Sequence, residues 1–280
     1  VSGLYFNGDS TCIGLFGSSE ADGNIKNVGV VDSYFKGNNF VGGVCGCNDR
    51  TITNCYNAGN LTAIESSATI GGICGYNNAG TVTNCYNTGT VTATGSVASV
   101  GGVCGCSIAP ISNCYNIGTV TATSSSADIS GICGYYFGPI KNCYYLADTE
   151  DENGGKTAEQ FKSGEVAYLL NFHQTIGKDE IPTLNEQAKA VVRLTLTYDE
   201  TFGDDADTKE LYYNAADEVT LEESADKAYT YHYFDGETEL TEGTYLMTGN
   251  AKLTVKREAV HLVISDDKFK DTFELTYKTP

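Results

Sequence analysis

Eleven cysteines, three histidines and 36 acidic residues are where chemistry could reside in these 280 residues. Cys45-Gly46-Cys47 and Cys104-Gly105-Cys106 each offer two thiolates one residue apart, a soft pair of the kind that zinc takes. Yet Tyr76 and Tyr135 hold the places of Cys47 and Cys106 in other copies of the same pattern, and no histidine lies nearby. His173, His232 and His261 are scattered, outside any His-Glu-x-x-His or Gly-x-Ser-x-Gly arrangement. Polysaccharide cleavage calls for clustered acids beside Arg or Lys. Residues 1–147 hold only Lys26, Lys36, Arg50 and Lys141 as bases, and their acids are spread thin. Asp204-Asp205-Ala206-Asp207 is dense enough for calcium but lacks the Gly and terminal Glu of an EF-hand loop, so a solvated loop is expected. The expectation is no catalytic, cofactor-binding or metal-ligating residue, no cofactor, and no enzyme.

The elements that would position these residues come from a repeat. Gly71-Gly72-Ile73-Cys74-Gly75-Tyr76-Asn77 is followed by Thr81-Val82-Thr83-Asn84-Cys85-Tyr86-Asn87 and Gly89-Thr90-Val91-Thr92-Ala93. The glycine closing the first box recurs at Gly46, Gly75, Gly105 and Gly134, in steps of 29, 30 and 29 residues. A divergent first copy has Gly17 at that place and continues through Ile25-Lys26-Asn27-Val28. Each unit carries short β-prone segments separated by Gly and Asn and no helical periodicity, which excludes helical repeats and predicts a parallel β-helix of about five coils. At roughly 4.8 Å per coil, that rod is only about 24 Å long.

In such a stack, residues at one place form columns. Asn54, Asn84, Asn113 and Asn142 are expected to form an inward-turned amide ladder at a corner, turn geometry alone being the plainer reading. Cys45, Cys74, Cys104 and Cys133 form one core column and Cys55, Cys85, Cys114 and Cys143 another, read as buried and mainly reduced. Stacked neighbours would also lie within disulfide distance, and an odd total leaves at least one thiol unpaired in a monomer. Reduced thiols on a secreted protein would indicate an anaerobic habitat. Tyr56, Tyr86, Tyr115 and Tyr144 are expected to face outward as a stacked stripe that covers the sheet or holds sugar rings or a protein.

These boxes resemble the GLUG-motif repeats of bacterial surface proteins, found in adhesin-like proteins and beside the catalytic region of some immunoglobulin-A peptidases. The resemblance covers roughly half of the chain and implies a cell-surface setting rather than a reaction. Seven of the 36 acids and four of the 17 bases lie in 1–147, so the repeat region carries −3 and the remainder −16. Such a chain has no means of condensing onto phosphate backbones, and nucleic acid is not an expected partner. No apolar run reaches the length of a membrane span and no signal peptide opens the chain; because it starts inside a repeat, it is expected to be a mature or trimmed fragment.

The expected organisation is a solenoid over 1–147, an acidic loop and helical cap or connector over 148–189, a small β-rich module over 190–258, and terminal strands over 259–280. Thr157-Ala158-Glu159-Gln160 reads as a capping box, Gly164 interrupts the helix, and the apolar run from Phe161 to Phe172 is expected to cover the last coil's open end. Pro182 closes the connector. Val191 to Tyr198, Ala228 to Phe234 and Ala251 to Lys256 alternate as strands, with turn signals at Asp235-Gly236 and Glu242-Gly243. The order Glu218–Leu221, Tyr231–Gly236, Gly243–Gly249 and Leu253–Val255 resembles the internalin-B-type repeat, a small β-grasp module of surface proteins. It departs from that family at Ala228-Tyr229-Thr230-Tyr231 and Tyr233, and an immunoglobulin-like sandwich is the alternative. Val260–Ile264 and Thr272–Tyr277 are read as two further strands that either complete the module or begin another.

The function expected is a non-catalytic cell-surface or secreted adhesin-like module, a monomeric spacer and display scaffold that binds host glycans or extracellular proteins shallowly. The alternative is the accessory region of a larger secreted peptidase or polysaccharide-active enzyme.

Overall fold

A computed structural model describes residues 1–19, 23–221, 228–241, 243–265 and 272–276, the last two strands by backbone alone. The chain divides into two compact units, Val1–Phe161 and Lys162–Pro280.

The first unit is a parallel β-solenoid of five coils with three faces. One face stacks Thr11–Ile13, Asn39–Gly42, Thr69–Gly71, Ser99–Gly101 and Asp128–Ser130. The next stacks Phe16–Ser19, Cys45–Asn48, Cys74–Asn77, Cys104–Ser107 and Cys133–Tyr136. The third is a 12-stranded sheet that includes Tyr56–Ala63, Tyr86–Asn87, Ile111–Asn116 and Ile140–Leu146. Register is like upon like: Ile70 faces Val41 and Val100, Cys74 faces Cys45 and Cys104, and Tyr86 faces Tyr56 and Tyr115. The interior is therefore a bundle of apolar columns, among them Val44, Ile73 and Val103, and Ile52, Val82 and Ile111, all fully buried.

Glycine pairs set the coil spacing at the corner between the first two faces. A Cβ on Gly72 would stand 2.2 Å from the carbonyl oxygen of Gly102 in the next coil and 2.3 Å from Cγ of Asn87. No side chain fits there, which is why the Gly-Gly box recurs.

The amide ladder lies elsewhere than the sequence suggested. Asn54, Asn84, Asn113 and Asn142 have φ near +50° (54°, 52°, 51° and 49°), and their side chains are exposed or half-exposed. Only two amide bonds join them, Asn84 Nδ2 to Asn54 Oδ1 at 3.3 Å and Asn142 Nδ2 to Asn113 Oδ1 at 3.2 Å. These asparagines make the turn, since Asn tolerates left-handed backbone better than other L-residues with a Cβ. The inward ladder is Asn57, Asn87 and Asn116, all buried. Asn57 Nδ2 donates to Asn87 Oδ1 and Asn87 Nδ2 to Asn116 Oδ1, both at 2.8 Å. Each amide also closes on the glycine two residues along; Asn87 Nδ2 donates to Gly89 O at 2.9 Å, and Asn87 Oδ1 accepts from Gly89 N at 3.3 Å. A second buried ladder runs Ser19, Asn48, Asn77, Ser107, with bonds of 2.7, 2.7 and 2.9 Å.

The acidic loop belongs to the first unit. Asp151 Oδ1 accepts from the backbone N–H of Asn153 and of Gly155, each at 2.8 Å, and Gly155–Lys156 pairs with Tyr145–Leu146 as a partial further strand. The capping box forms: Gln160 N donates to Thr157 Oγ1 at 3.3 Å and Thr157 N to Gln160 Oε1 at 2.9 Å. It opens helix α1, Ala158–Lys162. Gly164, at φ +93°, separates this from α2, Glu165–Leu170. The apolar run is thus divided. Phe161 is buried with its ring 5.6 Å from that of Tyr115, whereas α2 packs on strands of the second unit.

The second unit is a mixed sheet in the order Thr208–Asn214, Val191–Tyr198, Ala251–Ala259, Tyr229–Asp235, Thr238–Glu239. Its central pair is parallel, with Leu196 opposite Leu253, unlike the antiparallel sheets of an immunoglobulin-like sandwich. Glu218–Thr220 and Thr244–Leu246 form a separate ribbon. Leu194, Met247, Leu253 and Val255 centre the core. Gly236, at φ +62°, makes the expected turn, while Glu242 lies outside the described residues. His261–Ser265 and Thr272–Thr276 pair antiparallel with each other; Tyr277 lies outside the described residues.

Asn87→Ala should destabilise the chain by about 2–4 kcal/mol, because it leaves buried groups of Asn57, Asn116 and Gly89 without partners. Asn113→Ala should cost about 1–2 kcal/mol through its backbone alone, and Asn113→Gly close to nothing. Denaturant unfolding of the three variants checks this order. Equal losses in Asn87→Ala and Asn113→Gly would contradict it.

Candidate functional site

The repeated residues that could do chemistry are absorbed by the stack. All eight column cysteines are buried and free. The thiols of the inner members turn back on their own strands, as Cys104 Sγ does to Cys106 O at 3.1 Å and Cys85 Sγ to Thr83 O at 3.1 Å. Burial pushes the thiols of Cys74, Cys104 and Cys114 up, and that of Cys45 up to about 11 from an ordinary 9.0. Cys47 is bonded to Cys12, with Cα atoms 5.3 Å apart, tying the first coil to the second. The pair at Cys45 and Cys47 is therefore not two thiolates. Cys106 is free and half-buried. Among the described residues no group of three or more His, Cys, Asp or Glu is placed to hold a metal ion.

The tyrosine column stacks as expected but does not face outward as a stripe. The rings of Tyr56, Tyr86 and Tyr115 lie 5.0 and 4.9 Å apart, within 4° of parallel. Tyr115 is fully buried and Tyr86 nearly so, and Phe161 packs on Tyr115. Tyr144 is half-buried beneath the Lys156 ammonium, 5.9 Å from its ring centre; Lys156 also pairs with Glu150. A ligand has no access to the inner rungs.

In the second unit, Asp204 and Asp205 end a short 3-10 helix over Glu200–Asp205, capped by Asp199. Arg257 holds this element, donating to the carbonyls of Thr201 and Phe202 at 2.9 Å, with its guanidinium 4.7 Å from the Phe202 ring centre. His173 makes backbone bridges to Thr183 and Ala190. His232 contacts Glu239 through Nδ1 at 2.6 Å and lies 3.7 Å from Glu258 through Nε2, an arrangement made by strand pairing. The side chain of His261 lies outside the described residues.

The concavity with convergent polar and aromatic groups is at the far end of the solenoid. There the repeat changes in two places. Ser130 stands where earlier coils have Gly42, Gly71 and Gly101, and Tyr145 stands where they have Asn57, Asn87 and Asn116. In inner coils the N–H groups of Val103 and Cys104 both donate to Ile132 O of the next coil, at 2.9 and 3.0 Å. In the last coil Ile132 N and Cys133 N donate instead to Ser130 Oγ, at 3.2 and 3.3 Å. A side-chain hydroxyl thus replaces the next coil's carbonyl. Tyr145 lies flat on Gly131, where a Cβ would meet its ring at 2.2 Å, and its hydroxyl donates to Asp151. Between these features opens a cavity of about 790 Å³, lined by Asn116, Ile129, Tyr136, Tyr145, Glu152 and Asn153 among others. Sequence reasoning missed this site, although both departures from the repeat are visible in it.

Residues 66–92 match the family model of the GLUG motif. The matched GLUG segment is one coil's worth of chain and carries Gly72, Cys74, Cys85, Tyr86 and the ladder residue Asn87. No curated protein matches the chain. A solved structure, of a "putative immunoglobulin A1 protease" from Bacteroides ovatus, is similar at 20% identity and a TM-score of 0.43, over 65% of this chain and 76% of that one.

Titration of the unfolded chain without reductant should count nine thiols, and of the native chain at pH 8 one reactive thiol, Cys106. A count near one after unfolding would contradict the buried free columns. The raised thiols also set a pH limit. A thiol protonated in the fold but ionised when unfolded stabilises fully below its unfolded pKa and less as pH rises through the folded one. Stability should therefore fall from pH 9.0 towards about 11 for Cys45, and Cys45→Ala should flatten the fall in denaturation midpoint over that window.

Proposed function

We propose that this chain is a non-catalytic module presented outside the cell, a monomeric adhesin-like scaffold that displays binding surfaces. The observation that carries this reading is the fate of the repeated side chains. Cysteine, asparagine and tyrosine columns are used up in holding coil to coil, so the repeat builds a support rather than a reaction centre. The GLUG match supports a surface setting through the family's resemblance. The Cys12–Cys47 bond supports export to a compartment where such bonds form, and the nine free thiols, eight of them buried, support one that is only weakly oxidising. In the second unit, the mixed sheet with its parallel central pair supports the β-grasp reading over the sandwich.

Host glycans or extracellular proteins are the partners we assign, bound weakly at single sites and strengthened by many copies on one surface. The purified chain should release no product from peptide or glycan panels, and it should gain apparent affinity for a glycan or matrix-protein array when presented multivalently. Turnover abolished by one acid or histidine substitution would overturn the reading and favour an enzyme.

A further inference from the structure

We propose that the cavity at the end of the last coil is a binding site for a neutral saccharide, an assignment that rests on the display reading above and gives it a place. Three observations converge on it.

The first is an unused donor. In the buried ladder each amide nitrogen serves two acceptors, the carbonyl of the glycine two residues on and the amide oxygen of the next coil. Asn116 keeps only the first, to Gly118 O at 3.0 Å, because Tyr145 occupies the next place. Asn116 is 3% exposed and lines the cavity. Its second N–H therefore has no oxygen acceptor among the described residues, at a place where Tyr145 and the cavity adjoin. A buried donor of this kind favours an occupant that brings an oxygen.

The second is the chemistry of the walls. Tyr136, 58% exposed, and the ring of Tyr145 give aromatic surface, while Glu152 and Asn153 give exposed polar groups at the rim. Aromatic faces beside amide and carboxylate groups suit a sugar, whose C–H face is apolar and whose hydroxyls both donate and accept. The volume of about 790 Å³ suits a short oligosaccharide. Glu152 in the lining, with Asp151 behind it on the Tyr145 hydroxyl, places negative charge beside the cavity, so uronate, sulfate or sialyl groups are disfavoured and the ligand is neutral.

The third rules out the obvious competitor, another coil. Ser130 already satisfies the N–H groups of Ile132 and Cys133, and its side chain stands where stacking requires glycine; at Gly101 a Cβ would lie 2.8 Å from Cys133 Cα of the following coil. The end is closed to a sixth coil or the first coil of a second copy.

Saturation-transfer NMR on the full chain, with lactose, maltose and N,N′-diacetylchitobiose as neutral probes, tests the proposal. Sialyllactose and an uncharged blocked tetrapeptide serve as comparisons. At least one neutral disaccharide should bind saturably, on the order of millimolar, and sialyllactose more weakly than lactose. Tyr136→Ala and Glu152→Gln, both at exposed positions, should each weaken binding about tenfold, which corresponds to about 1.4 kcal/mol. Failure of all three neutral sugars to saturate would overturn the site, as would binding unchanged in both variants. A preference for sialyllactose or for the peptide would overturn it too. Reducing ends released in the same samples are measured separately. Their appearance would sink the non-catalytic reading while leaving the site, whereas absence of binding without hydrolysis would sink the site alone.

Discussion

The carbonyl of one coil stands where a side chain of the next would have to go. At the Gly43, Gly72, Gly102 and Gly131 corner, backbone packs on backbone, and the Asn57, Asn87 and Asn116 amides fill the space beneath. The rest of the solenoid depends on this approach. It fixes the register of the columns at this corner, while the coil length itself varies between 29 and 30 residues. It also makes Asn the natural occupant beside it. A side chain there must donate and accept both within its coil and towards its neighbours, and the amide alone among small side chains offers two donors and a carbonyl oxygen.

The same constraint explains why so much reactive chemistry does so little in this structure. A residue type that recurs once per coil must stack on its own copy. Cysteine does this well as a small apolar group, and tyrosine does it as a ring on a ring. Both gain packing and lose accessibility: the thiols turn onto neighbouring carbonyls, and Tyr115 is sealed beneath Phe161. Solvent-facing chemistry is left to places where the repeat is broken.

The last coil is the clearest such place. Its departures are matched to the lack of a following coil: Ser130 supplies an internal acceptor, Tyr145 lies over the end of the ladder, and Asp151 anchors that tyrosine from the acidic loop. Closing the end in this way covers the third face with Gly155–Lys156 and leaves a hollow beside Asp128–Ser130. The second unit follows a different plan, an alternating sheet centred on a parallel pair and bounded by Arg257 against Phe202 and Tyr229.

Much of this was legible in the residues alone. Period, coil number, the cysteine columns, the Thr157 capping box, the break at Gly164 and the strands at Val191 and Ala251 are all set by local spacing and turn chemistry, which a sequence displays directly. Which of two asparagine columns turned inward was not. Asn54 recurs through Asn142 whereas the Asn57 column gives way to Tyr145, and only the path of the chain round the corner puts Asn54 at positive φ on the outside and Asn57 beneath the glycines. Tertiary structure also decided that the tyrosines are covered, since Phe161 is 46 residues beyond Tyr115 in the chain. The strand Thr208–Asn214 is likewise a product of pairing: its sequence does not alternate, and Val191–Tyr198 holds it. The sequence by itself determined the stack, because like residues at a near-constant period can satisfy one another in few other ways; only the folded chain decided which of them face the core and which stay exposed.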